Sequence, residues 1–169
     1  MGGDFVRKGG PRLVDCWRRH FSGHCELHLV TQSPVPTEPG LHVHAGIGAG
    51  TEPWRRLWTE ADVFVFPSTM ETFGIVLLEA LGFMVPVVSS RAGAAAEILE
   101  EGRAGWLVDE RSEDALRAAI EDALSGGAEV RTKVERGRAI FEARYSLTEN
   151  AGRLARLLQV ASEQPKRRG

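Results

Sequence analysis

Two short apolar runs, DVFVF (residues 62–66) and PVVSS (86–90), flank a segment of helical length and composition, GIVLLEALG (74–82). The runs are rich in Val and Phe, continuous rather than alternating, and bounded by Pro67 and Pro86, which is the pattern of strands buried on both faces. A parallel pair needs a crossover connection, and strand, helix and strand in direct succession supply one. The same order extends along the chain. Helices are predicted over Pro11–Phe21, Thr51–Ala61, Phe73–Gly82, Ala94–Glu100, Ser112–Leu124, Arg131–Ala143 and Thr148–Ala161. Strands are predicted over Glu26–Thr31, Leu41–Ala45, Asp62–Phe66, Pro86–Ser90 and Trp106–Val108. The expected fold class is α/β: a doubly wound, Rossmann-like parallel sheet with helices on both faces. Such a fold needs a strand ahead of its first helix, yet only MGGDFVRK stands there, so the first strand is expected to be missing or vestigial.

With 169 residues the chain suits one domain, assigned to residues 1–162, followed by a short basic tail over 163–169 that is expected to be disordered. A net charge of −2 gives no overall attraction to nucleic acid, so an anion site must be local. Cys16 and Cys25 form no spaced framework and read as reduced thiols of a cytoplasmic protein. The apolar stretch from Gly74 to Val88 is broken by Glu79 and Pro86, so no integral membrane segment is expected.

Glu79 is the anomaly, a carboxylate among Ile75, Val76, Leu77, Leu78, Ala80 and Leu81, where desolvating even a polar group costs about 2–7 kcal/mol. A carboxylate only accepts hydrogen bonds, so a buried Glu79 calls for paired donors such as vicinal hydroxyls or an Arg fork. The backbone N–H groups of Phe73, Gly74, Ile75 and Val76 would form an anion seat at the helix start, with Gly74 permitting close approach. Arg7 and Lys8 could neutralise phosphates of the same ligand, a nucleotide sugar. Read from the pair alone, the favoured assignment is a solvated Glu71 in the loop and a Glu79 on the exposed stripe of the helix.

The stretch ADVFVFPSTMETFGIVLLEA (61–80) carries two glutamates in an E-x7-E pattern at Glu71 and Glu79. It continues into VPVVSSRAGAAAEILEEGRAGWLV (85–108) and DALRAAIEDAL (114–124), with RKGG (7–10) ahead of it. This collinear pattern resembles the retaining glycosyltransferases of the group 1 family, which have the two-domain GT-B architecture. The resemblance implies a donor-binding half: Glu79 on ribose hydroxyls, Glu71 on the transferred sugar, the Phe73–Val76 amides on sugar and diphosphate. Lys8, helped by Arg7, would stabilise charge on the leaving diphosphate, making Lys8 and Glu71 the catalytic pair. No metal and no cofactor are implied, since no D-x-D stands in a suitable loop. The N-terminal acceptor-binding domain is missing from this chain, so the resemblance implies a fragment inactive alone, with membrane contact, where present, peripheral and through that domain. The rival readings are a non-catalytic nucleotide-binding or interaction module and a nucleotide-sugar epimerase. Met84 and Ala94 stand where the family pattern has Gly.

Four other features carry less. His20, His24 and His28 would line one helix face, but Gly23 and the alternation of ELHLV end the helix first, so no metal site is expected there. His42 and His44 share one strand face and read as polar packing or exposure. GIGAG (46–50) is a flexible loop, and Trp54 and Trp58 read as core contacts.

Overall fold

The structure is a computed structural model that describes residues 4–109 and 111–163, without the side chains of 157, 158 and 160–163. From residue 164 onward, the predicted tail lies outside the described residues. The helices are α1 (Gly10–His20), α2 (Glu52–Glu60), α3 (Ile75–Gly82), α4 (Ala95–Ile98), α5 (Glu113–Leu124), α6 (Ala128–Ile140) and α7 (Leu147–Glu163). The strands are β1 (Leu27–Val30), β2 (Leu41–His44), β3 (Phe64–Phe66), β4 (Val87–Ser90) and β5 (Trp106–Val108).

Among the described residues the named strands all pair in parallel, and one isolated antiparallel bridge joins Glu38 to Leu41. β4 lies between β3 and β5, with Val88 opposite both Val65 and Trp106, and all four of its residues are buried. Successive side chains of β4 leave on opposite faces. Val88 enters a core cluster with Leu13, Trp17, Leu116 and Ile120 from α1 and α5. Val87 enters a second cluster with Leu77, Leu81, Ile98 and Trp58 from α3, α4 and α2. Helices thus cover both faces, as the alternation of elements requires.

The sheet is not continuous. β1 pairs only with β2, and β3 begins the second sheet, so the edges of β1 and β3 are unpaired with each other. Both strands instead line a cavity of about 540 Å³, which α1, α2 and α5 close. The expected missing first strand therefore appears as a gap between two half-sheets. Its effect is visible in β3, where Phe64 and Val65 are only partly buried although the strand is as apolar as β4.

Two element ends depart from expectation for local reasons. Gly74 sits at φ 86°, ψ 53°, left-handed backbone open to glycine, so α3 starts at Ile75 and Phe73 lies outside it. After α5, Gly126 at φ 64° reverses the chain and α6 starts at Ala128, ahead of the predicted Arg131. Met84, in a position of glycine in the family pattern, holds φ 60°.

Candidate functional site

The loop from Pro67 to Gly74 joins the carboxyl end of β3 to α3, the edge at which doubly wound sheets gather ligands. Two glycines let neighbouring loops press against its backbone. A Cβ on Gly9 would stand 2.1 Å from the Pro67 carbonyl oxygen, and one on Gly93 would stand 2.5 Å from that of Glu71. Buried serines fix its base: Ser68 donates to the Met70 carbonyl at 2.9 Å, and Ser90, from the end of β4, donates to the Ser68 carbonyl.

The turn preceding α1 lies along this loop. Thr69 N–H donates to the Arg7 carbonyl at 3.0 Å, and the Arg7 guanidinium donates to the Met70 carbonyl at 3.0 Å. Lys8 follows, its Nζ 3.1 Å from Glu71 Oε2 and above the Phe66 ring. Glu71 Oε1 also accepts from Thr72 N–H at 2.9 Å. Burial pushes the Glu71 carboxyl up, but the Thr72 bond and the Lys8 charge outweigh it and hold the group below its ordinary value. With 19% and 16% of their side chains exposed, Lys8 and Glu71 form a largely desolvated pair.

Glu79 differs. It lies one turn inside α3, its Oε2 is buried without a hydrogen-bond partner, and desolvation raises its carboxyl above the ordinary value. The Trp54 indole pulls the other way, since its N–H approaches Glu79, but it completes no hydrogen bond. Between the two carboxylates stands the start of α3, with no side chain capping it. Leu77 N–H donates to the Gly74 carbonyl at 2.9 Å, and the N–H groups of Ile75 and Val76 ahead of it are placed to receive an anion or hydroxyl oxygens. Phe73 and Ile75, 42% and 67% exposed, flank this opening.

The structure thus joins Arg7, Lys8 and Glu71 in one contact set, with Phe73, Gly74, Ile75 and Val76 as the adjoining helix entrance. Glu79 belongs to a second set with Trp54. Trp58 is 4% exposed and stacks on Phe83, as expected of a core residue. Trp54, by contrast, is also the polar neighbour of Glu79. The serines Ser68 and Ser90 were not apparent as loop anchors in the sequence, although hydroxyl residues at the ends of two apolar strands are the signal that marks them. The described part of the chain has no helix long and apolar enough to cross a membrane.

Comparison with known proteins bears on the family and the fold. The family described as glycosyl transferases group 1 matches residues 46–139, which contain both glutamates and the α3 entrance. A GDP-mannose-dependent alpha-(1-6)-phosphatidylinositol monomannoside mannosyltransferase of Mycolicibacterium smegmatis is 32% identical over 157 residues, 92% of this chain and 39% of that protein. A D-inositol 3-phosphate glycosyltransferase of Pseudarthrobacter chlorophenolicus is 36% identical over 66% of this chain and 23% of its own length. Among solved structures, sucrose-phosphate synthase from Thermosynechococcus elongatus superposes with a TM-score of 0.72 at 26% identity, over 92% of this chain and 43% of that one. Anabaena Alr3699/HepE, in complex with UDP and glucose, does so with a TM-score of 0.80 at 20% identity, over 95% of this chain and 47% of that one. The chain therefore spans less than half the length of these relatives. With the match covering more than half of its residues and a Rossmann-like fold shared with GT-B enzymes, the chain belongs to the group 1 glycosyltransferase family.

Proposed function

We propose that residues 1–162 are the donor-binding half of a retaining glycosyltransferase, which moves a sugar from a nucleoside diphosphate to an acceptor hydroxyl with its anomeric configuration kept. The carrying observation is the Lys8–Glu71 ion pair beside an uncapped helix start, with an unpartnered carboxylate at Glu79. In this reading Lys8 and Glu71 hold each other's place until donor arrives. The diphosphate then takes the Lys8 ammonium, with Arg7 as a second cation, and Glu71 is released to accept from hydroxyls of the sugar. The first-turn amides of α3, from Phe73 through Gly74, Ile75 and Val76, receive sugar and diphosphate oxygens. Glu79 accepts from the ribose diol, which supplies the donors its Oε2 lacks. As the bond between sugar and diphosphate breaks, Lys8 and the α3 amides stabilise the leaving oxygen, a preorganised electrostatic contribution. The reading needs no metal at the phosphates.

It also makes this chain incomplete and inactive alone. Two observations support that: the unpaired edges of β1 and β3 around the cavity, and the 39% share of the mannosyltransferase that the chain covers. A parallel strand running ahead of Asp4 in the same polypeptide would fill the cavity and feed α1 by the usual right-handed crossover. A second Rossmann-like domain before it would bring the acceptor. The free thiols Cys16 and Cys25 agree with a cytoplasmic setting.

Calorimetric titration with UDP, GDP and ADP tests the reading. It predicts saturable binding of at least one of them at one site, weakened by Glu79→Ala; binding unchanged in that variant overturns the ribose role. Co-expression with an N-terminal half from a relative separates the enzyme from a non-catalytic module, because only the enzyme then transfers sugar.

A further inference from the structure

Away from the donor loop, β1 and β2 are four residues each and pair with His28 opposite His42. Alternate strand residues share a face, so Leu29 and Leu41 enter the core while His28, His42 and His44 stand together on the other side. Glu26, two residues before His28, joins them. Its Oε2 is 3.5 Å from His28 Nε2 and 3.5 Å from His42 Nε2. The three ligand atoms lie within 4.8 Å of one another, the one such group among the described residues.

The two 3.5 Å separations match a metal's requirements, and the third is within the reach of a small shift of a side chain. Ligands about 2.1 Å from a tetrahedral ion stand about 3.4 Å from each other. The rings of His28 and His42 are stacked, with centroids 4.6 Å apart and planes 24° apart, so both can present Nε2 in the same direction. His28 is also held from behind, its Nδ1 3.0 Å from His44 Nε2. With the proton on Nδ1 and donated to His44, the Nε2 lone pair of His28 faces Glu26. Such outer-shell bonds orient the histidine ligands of metal sites. The side chains of Glu26, His28 and His42 are 68%, 42% and 45% exposed, so an ion can enter and water can complete its coordination.

We propose that Glu26, His28 and His42 bind a divalent transition ion of the zinc type, with His44 as the outer-shell partner. Two imidazoles and one carboxylate are a donor set for Zn²⁺, Co²⁺ or Ni²⁺ rather than for Mg²⁺ or Ca²⁺. The ion would clip β1 to β2. A two-stranded sheet is marginal by itself, and among the described residues β1 has no strand on its other edge, so in this chain the clip acts on the least supported part of the fold. It is a structural site on the β1–β2 half-sheet, independent of the phosphate chemistry at α3.

The test uses the chain without a histidine tag. Titration with Zn²⁺, followed by calorimetry and thermal melting, is expected to show one ion bound per chain and a melting temperature raised by about 5–11 °C at a hundredfold excess over Kd. Co²⁺ in its place should give the intense visible bands of tetrahedral coordination. His28→Ala and His42→Ala should each weaken binding at least tenfold, and His44→Ala by about tenfold. His20→Ala and His24→Ala should leave it unchanged. These residues are surface-exposed, and an unchanged metal-free melting temperature in each variant verifies folding. Absence of saturable binding, or a His28→Ala, His42→Ala double variant that binds like the parent, overturns the proposal.

Discussion

Glu71 and Glu79 sit eight positions apart on the same loop and helix, yet their surroundings oppose each other. Glu71 has an ammonium at 3.1 Å and a backbone N–H at 2.9 Å, and its carboxyl is held below the ordinary value of 4.5. Glu79 has one orphaned oxygen and an indole that does not quite reach it, and its carboxyl is pushed above that same value. The difference teaches how one motif can contain two kinds of acceptor. Glu71 has its partners in the free chain, whereas one oxygen of Glu79 has none; in the proposed reading the first exchanges a partner for the ligand and the second gains one from it.

The largest effect expected from this contrast is at Glu79. A hydrogen bond to a charged group is worth about 1.5–3 kcal/mol, so Glu79→Ala should weaken the tightest nucleoside diphosphate by about thirtyfold while leaving the melting temperature unchanged or higher. A variant that loses stability instead of affinity would show that Glu79 is partnered in the free protein. Next comes Lys8→Ala. It should weaken the same nucleotide by about tenfold and also lower the melting temperature, since it strands the Glu71 carboxylate. The two variants thus separate, one losing affinity without losing stability and the other losing both.

pH sharpens the contrast through opposite slopes. Glu71 has a lowered folded value, so the stability it contributes is fully present above 4.5 and is lost as pH falls through that lowered value. Glu79 has a raised folded value, so its contribution is present below 4.5 and is lost as pH rises through the raised value. Melting curves from pH 3 to 7 should therefore show Glu71→Gln losing its disadvantage toward acid and Glu79→Gln gaining an advantage toward neutral pH. Parallel curves for the two variants would erase the distinction. Trp54→Phe carries the smallest effect: removing the indole N–H pushes the Glu79 carboxyl further up, moving the pH midpoint of nucleotide binding upward with little change in affinity above it.

Much of this was readable in the residues, for identifiable reasons. Continuous apolar strands at Asp62–Phe66 and Pro86–Ser90 imply a parallel pair, and a charged residue inside Ile75–Leu81 marks a candidate site because nothing in a core explains it. Lys8 was legible as a cation near the loop, and the structure gives it Glu71 as a direct partner. The parted sheet was legible only as a missing strand, because a gap depends on which edges meet. The Glu26–His28–His42 group was hidden for a similar reason. Alternation shows which face His42 and His44 share, but only the register of β1 against β2 brings His28 beside them. Likewise the start of α3 follows from the left-handed Gly74, which a pattern of apolar residues does not encode.

The account turns on Glu79 accepting from the sugar ring of a nucleotide, and a thermodynamic cycle tests that directly. Calorimetric Kd values are compared for a nucleoside diphosphate and its 2′,3′-dideoxy counterpart, with the parent chain and with Glu79→Ala, which removes the acceptor. The account predicts that the parent binds the dideoxy compound at least tenfold more weakly and that the variant binds the two within twofold of each other. Equal discrimination by parent and variant would contradict it.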